Sequence, residues 1–156
     1  MWLSNELFRS VVDSTPLISI DLVVLNSKGE CLLGQRLNRP AQGNWFVPGG
    51  RILKNETLDA AFNRLTLEEL GKASARSDAR LLGVYEHFYA DSVFAARGQG
   101  PDTHYVVLAY QLVMAEDDLL HPPQAQHDAY RWWPQAEMQT CEQVHANTRA
   151  YLDALR

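Results

Sequence analysis

The first apolar pattern along the chain is helical. Leu7, Phe8, Val11 and Val12 in NELFRSVVD share one arc and predict a short helix over residues 5–13 that lays one face on the body of the domain. The pattern then changes to that of a strand. LISIDLVVLN, from Leu17 to Asn26, is rich in β-branched and aliphatic residues; Ser27, Lys28 and Gly29 supply a turn, and ECLLGQR resumes from Glu30 to Arg36 as the second strand of a hairpin. Asp21 breaks the first strand. It either sits at a strand edge facing solvent or is buried with a partner, because an unpaired buried carboxylate is costly.

After a loop over 37–44 containing Pro40 and Gly43, the stretch WFVPGGRILKNETLDAAFNRLTLEELG from Trp45 to Gly71 reads as a short strand, a Pro-Gly-Gly break, a second short strand and a helix. Asn55 is a suitable N-cap, Glu56 and Asp59 place negative charge at the positive end of the helix dipole, and Gly71 suits the C′ position, so the helix is expected over 56–70. At 100° per residue, Leu58, Ala61, Phe62 and Leu65 form the arc that faces the sheet, and Glu69 projects between Leu58 and Phe62. A carboxylate there either snorkels to solvent from the last turn or takes a divalent cation. Arg64 and Glu68 are spaced i to i+4 and can pair on the flank.

Polar KASARSD then leads to an apolar run over 79–89. A loop with Gly98, Gly100 and Pro101 precedes a strand over 103–114, and EDDLLHPPQAQHD ends in the strand-like AYRWW. Helical pieces over 134–140 and 143–155 close the chain. This order of elements, with no repeat, linker or low-complexity tract, argues an α+β or α/β sandwich around a mixed sheet.

Composition narrows this picture. The chain has 156 residues, 46% of them hydrophobic, enough for one buried core and too few to expect two, so residues 1–156 are read as one domain. A net charge of −5 leaves no basic footprint for nucleic acid, so any phosphate must be held by a few local cations. Cys31 and Cys141, two and far apart, suit a reducing compartment. No apolar run approaches a membrane span and the first residues lack the pattern of a signal peptide; a soluble, cytoplasmic protein is expected.

The candidate chemistry gathers in 45–71: Gly49 and Gly50 allow close backbone approach, Arg51 and Arg64 are cationic, and Glu68 and Glu69 are metal-ligand types. Gly50, five residues, Glu56, seven residues, Arg64, then Glu68, Glu69, one residue and Gly71 resembles the box of the Nudix hydrolases, whose fold is an α/β/α sandwich around a mixed β-sheet. Leu65 stands where that family has a glutamate, and Thr66 and Lys72 replace aliphatic positions. One branch, the GDP-mannose mannosyl hydrolases, lacks the same glutamate, and the chain is similar to it through STPLISIDLVV, NRPAQGNWFVPGGR, THYVVLAY, QHDAYRWW and VHANTRAY.

That resemblance implies a Mg²⁺-dependent hydrolysis of GDP-mannose, or of GDP-glucose, to GDP and free sugar by water attack at the anomeric carbon with inversion. It implies one Mg²⁺ per subunit, held by Glu69, Gln126 and the Gly49 carbonyl; His127 as catalytic base; Arg36 and Arg51 on the diphosphate; Arg64 orienting the helix carboxylates; and Tyr105 assisting the departing phosphate. Asp21 and His87 fall on the sugar side, Trp2 and Leu3 belong to the segment lining the guanine pocket, Phe8 stacks on the base, and the subunit pairs as a homodimer. From residues alone an idle loop histidine is the favoured reading of His127 and strand packing that of Tyr105, while helix packing explains Phe8 equally well. Two further readings are a Nudix pyrophosphohydrolase attacking phosphorus, against which Leu65 argues, and a non-catalytic nucleotide-binding module.

Overall fold

A computed structural model describes residues 2–115, 120 and 127–156, with 127 and 128 described by their backbone alone. Helix α1 spans Asn5–Ser14, capped by the Ser4 hydroxyl, which accepts from the Leu7 N–H. The hairpin forms as the pattern predicts, with β1 at Leu17–Leu25 and β2 at Cys31–Arg36. β3 is Trp45–Phe46 and β4 is Gly49–Arg51, starting at the first glycine rather than after the break. β5 (Arg80–Tyr89), β6 (Thr103–Val113) and β7 (His127–Trp133) complete a seven-stranded sheet of order β3-β2-β1-β6-β5, with β4 paired to β1 and β7 to β2.

β1 and β6 are parallel and every other strand-to-strand pairing among the described residues is antiparallel, so the sheet is mixed. A central parallel pair is covered on both faces, which is why β1 is almost continuously apolar. Ile20, Leu22 and Val24 pack with Phe62, Leu65 and Leu70 of helix α2 (Leu58–Leu70) on one face. Val23 and Leu25 pack on the other with Val47, Trp133, Val144, Tyr151 and Met138, the last from α3 (Gln135–Thr140). The result is the α/β/α sandwich.

Three details of the helices depart from expectation. α2 starts at Leu58, two residues late: Asn55 adopts a left-handed backbone, φ 66°, and the Thr57 hydroxyl caps by accepting from the Ala60 N–H at 3.1 Å. Leu58 is exposed, so the buried side of the helix consists of Ala61, Phe62, Leu65, Thr66, Glu69 and Leu70. The final helical stretch divides into α4 (Ala146–Arg149) and a 3₁₀ turn at Leu152–Ala154. At its other end α2 stops as predicted, with Gly71 in the left-handed region at φ 75° and its N–H donating to the Leu67 carbonyl. Cys31 and Cys141 are free thiols.

Thr66, which replaces an aliphatic position, is fully buried and earns its hydroxyl by a specific contact. It accepts from the Ser74 N–H at 2.9 Å and donates to the Phe62 carbonyl at 2.9 Å, fastening the segment that leaves α2 back onto the helix. Thr66→Val keeps the shape but strips the Ser74 N–H of this acceptor, and urea unfolding should register a loss of about 1–3 kcal/mol, with Thr66→Ser losing less. Equal midpoints for wild type and Thr66→Val would remove this role.

Candidate active site

Two glycines open the site. A Cβ on Gly49 would run into the Ile20 carbonyl and lie 2.7 Å from Asp21 Oδ1, and one on Gly50 would lie 2.5 Å from Leu65 Cδ2. Only glycine lets β4 pass between β1 and α2 at this distance. Asp21 pairs with Gly49 and Ile20 with Gly50 across the β1–β4 ladder, which brings the box against the middle of β1.

Arg64 ties this arrangement together. Its Nε donates to Glu56 Oε1 at 2.6 Å and one Nη to Glu56 Oε2 at 2.9 Å, a bidentate fork; that Nη also donates to the Arg51 carbonyl at 2.8 Å, and the other reaches Glu68 Oε2 at 3.0 Å. Glu56 also accepts from the Leu53 N–H at 2.9 Å. The Arg64–Glu68 pair expected from spacing is present, but Glu56 is the shorter contact. Hydrogen bonding to Arg64 holds the Glu56 carboxyl below its usual range.

Between β4 and the sheet lies a cavity of about 210 Å³. β4 and α2 supply Gly49, Gly50, Arg51, Arg64, Leu65, Glu68 and Glu69 to its lining, and Ser19, Asp21, His87, Tyr89 and Tyr105 come from β1, β5 and β6. Trp2, Arg36, Pro40, Phe46 and Val47 complete it. Of the residues singled out in the sequence, Trp2, Asp21, Arg36, Gly49, Arg51, Arg64, Glu69, His87 and Tyr105 thus meet in one place. Leu3 and Phe8 do not line it. The Phe8 ring lies 4.1 Å from the Arg51 guanidinium carbon and packs edge-on against Phe94 at 5.6 Å, while Trp2, 69% exposed, lies 5.9 Å from the same guanidinium. Gln126 lies outside the described residues; residue 127 enters β7 paired with Arg36, so the register brings its backbone to the strand that carries a cavity residue.

Neither solvent-facing alternative survives. Glu69 is 3% exposed instead of snorkelling, and its carboxyl is pushed up to about 7 by burial and the charge of Glu68, against Arg36, Arg64 and a hydrogen bond from the Gly49 backbone. Asp21 lies in the central strand, not at an edge. Burial raises it to about 6, opposed by a hydrogen bond from the Tyr151 hydroxyl and by Arg36. Burial lowers His87 to about 4, so the ring is neutral at physiological pH. Burial also raises the Tyr105 phenol, with Arg36 and Arg51 pulling the other way. Tyr151, Tyr89 and Glu56 were not singled out as site residues by sequence reasoning. Glu56 carried a box signal, whereas Tyr151 carried only its place at the end of the similar segment VHANTRAY, 130 residues from its partner.

Glu68, Glu69 and the Gly49 backbone bring oxygen donors of the kind a divalent cation takes. Among the described residues no group of three His, Cys, Asp or Glu side chains converges as a metal site. Glu69 is the buried carboxylate of this lining, its pKa raised first by burial and then by the charge of Glu68.

The family model described as NUDIX domain matches residues 15–155. The low-salt glycan biosynthesis protein Agl8 of Haloferax volcanii is 38% identical over 152 residues, spanning 97% of this chain and 89% of that protein. The RNA pyrophosphohydrolase of Coxiella burnetii is 41% identical over 54 residues, 35% of this chain and 23% of that protein. In fold, the crystal structure of a MutT NUDIX hydrolase from Burkholderia pseudomallei aligns with a TM-score of 0.71 at 24% identity, covering 92% of this chain and all of that one.

The pKa of Glu69 sets a pH test. Because its folded value lies above 4.5, the folded protein without metal binds more protons than the unfolded chain between about 4.5 and 7, and this contribution to stability is lost as pH rises through 7. Mg²⁺ requires the ionised form, so its stabilisation should grow from about pH 6 to pH 8 in thermal melts. Glu69→Gln should remove most of that growth and raise metal-free stability at pH 8. A Mg²⁺ shift independent of pH, or retained in the variant, would exclude Glu69 as a ligand.

Proposed function

The chain belongs to the Nudix family, and from that premise we propose that this Nudix hydrolase cleaves GDP-mannose to GDP and free sugar by water attack at the anomeric carbon with inversion. The observation that carries the reading is Leu65. Its side chain abuts Gly50 where the family box has a glutamate, so this wall of the cavity is apolar and Glu69 is the buried carboxylate left on α2. Without a carboxylate at position 65 the helix offers one ligand fewer for several ions around a phosphorus under attack. The site still suits stabilisation of a diphosphate leaving group.

The parts divide as follows. His127 takes a proton from water as the water oxygen bonds to the anomeric carbon; the bond from that carbon to the diphosphate oxygen breaks, and GDP leaves with the electron pair. Arg36 and Arg51 receive the developing charge, Arg51 with its guanidinium stacked on Phe8 and Arg64 behind it in the box. Tyr105, buried between these arginines' fields, is available to donate to the leaving phosphate. A bound Mg²⁺, held by Glu69 with the Gly49 carbonyl and Gln126, would add positive charge to the same diphosphate.

Asp21 and His87 meet the sugar hydroxyls, and Trp2, Leu3 and Phe8 belong to the base side, with exposed Trp2 at the cavity itself. The reading includes one Mg²⁺ per subunit, a homodimer and a cytoplasmic setting; no helix among the described residues is long and apolar enough to cross a membrane. The likeness to a glycan biosynthesis protein along nearly the whole chain supports an activated sugar as substrate.

A second reading, attack at phosphorus, draws on Glu68 standing in the lining beside Glu69 and on the local likeness to an RNA pyrophosphohydrolase. Hydrolysis of GDP-mannose in ¹⁸O water separates the two. Label in the sugar with GDP as product upholds the proposal; label in phosphate, with GMP and sugar phosphate, replaces it with the second. On the first mechanism His127→Gln and Glu69→Gln should each lower kcat by about 10²–10⁴-fold, the His variant with little change in GDP affinity by calorimetry. Release of no sugar from any GDP-hexose with Mg²⁺ would end the proposal.

A further inference from the structure

The cavity's Asp21 and His87 share a neighbour that does not itself line the cavity. The Tyr151 hydroxyl is 2.5 Å from Asp21 Oδ2 and 3.3 Å from His87 Nε2, and the residue is 1% exposed. The hydroxyl has one proton to give. An ionised carboxylate can only accept, and 2.5 Å is the length of a charge-assisted O–H···O⁻ bond, so the proton lies toward Asp21. The phenolic oxygen then keeps lone pairs only, and a ring nitrogen 3.3 Å away satisfies it by donating. We propose that Tyr151 is a positioning residue that orients Asp21 and, by accepting from His87 Nε2–H, fixes the His87 ring in one tautomer with Nδ1 as its acceptor.

The surroundings support a fixed element. The Tyr151 ring packs edge-on against Tyr85 at 4.7 Å and 88°. The chain beyond it is latched to the far end of the sheet: Arg80 donates to the Ala154 carbonyl at 2.7 Å, and Gln111 donates to the Arg156 carbonyl at 2.7 Å. Arg80 and Gln111 are cross-strand partners on β5 and β6, and Arg80 also donates to Gln111 Oε1. Burial keeps His87 neutral, so its two nitrogens differ, one a donor and one an acceptor. For a hydroxyl-rich ligand this matters, since a ring free to exchange tautomers would offer a donor or an acceptor at random.

The tautomer rests on geometry alone, and its catalytic consequence rests on the nucleotide-sugar reading; the test separates them. Histidine ¹⁵N spectra of the full chain at about pH 8, without ligand, are compared for wild type, Tyr151→Phe and Asp21→Ala, with His87 assigned by its loss in His87→Gln. Wild type should show His87 protonated at Nε2. Asp21→Ala frees the Tyr151 proton for His87 and should move the ring proton to Nδ1, while Tyr151→Phe should give a mixture. With GDP-mannose, Tyr151→Phe should lower kcat by about tenfold to a hundredfold with KM little changed. His87 protonated at Nδ1 in wild type, or the same tautomer in all three proteins, overturns the proposal whatever the substrate is; should Tyr151→Phe not fold, the wild-type and Asp21→Ala spectra still decide it. Correct tautomers with no turnover of GDP-mannose would leave the positioning intact and count against the substrate reading instead.

Discussion

The Arg64 guanidinium is the point on which the site depends. It meets a carboxylate from the loop before α2, a carboxylate from the next turn of α2, and a main-chain carbonyl of β4, so one guanidinium ties three segments together. Each contact uses a different edge of the planar fork, which a lysine ammonium could not reproduce. The glycines complete the constraint by letting β4 lie against β1 and under Leu65. Once strand and helix are fixed in this way, Arg51 and Glu69 have little freedom, and both line the same cavity.

The lining is chemically uneven. Arg36, Arg51 and Arg64 bring three cations to the region of the box, where Glu68 and Glu69 carry the opposing charge. The sheet contributes Asp21, neutral His87 and the phenols of Tyr89 and Tyr105, groups suited to hydrogen bonding more than to charge. Burial is the common cause of the shifted titrations: it raises Asp21, Glu69 and Tyr105 and lowers His87, in each case disfavouring the charged form.

How much of this was legible depends on how local each signal is. Glu56, Arg64 and Glu68 could be read as a unit because their spacing is that of one loop and one helix, and the helix stop at Gly71 followed from the one residue type that takes a left-handed backbone cheaply. The helix starts later than its pattern predicts because Asn55 and Thr57, two residues apart, are both capping types, and Thr57 caps while Asn55 takes the left-handed turn. Asp21 was visibly anomalous, yet whether it faced water turned on the parallel β1–β6 pairing, which no local pattern encodes. Tyr151 lies in a segment that carries the resemblance, but its contacts were not legible there, since an aromatic in a short amphipathic segment looks like any other core residue until the chain folds back on β1 and β5.

The sequence by itself determined the hairpin, the Gly-Gly approach, the box on α2 and the substitution of leucine for a glutamate at 65, because each is carried by side-chain type at short separation. The tertiary structure alone decided that Glu69 is buried, that Arg36 and residue 127 face each other across a strand pair, and that Tyr151 closes on Asp21 and His87. Those depend on strand order and register, and on burial far from water. They are sums over contacts distant in the chain, and a stretch read in isolation contains neither the partner nor the dielectric that gives the contact its strength.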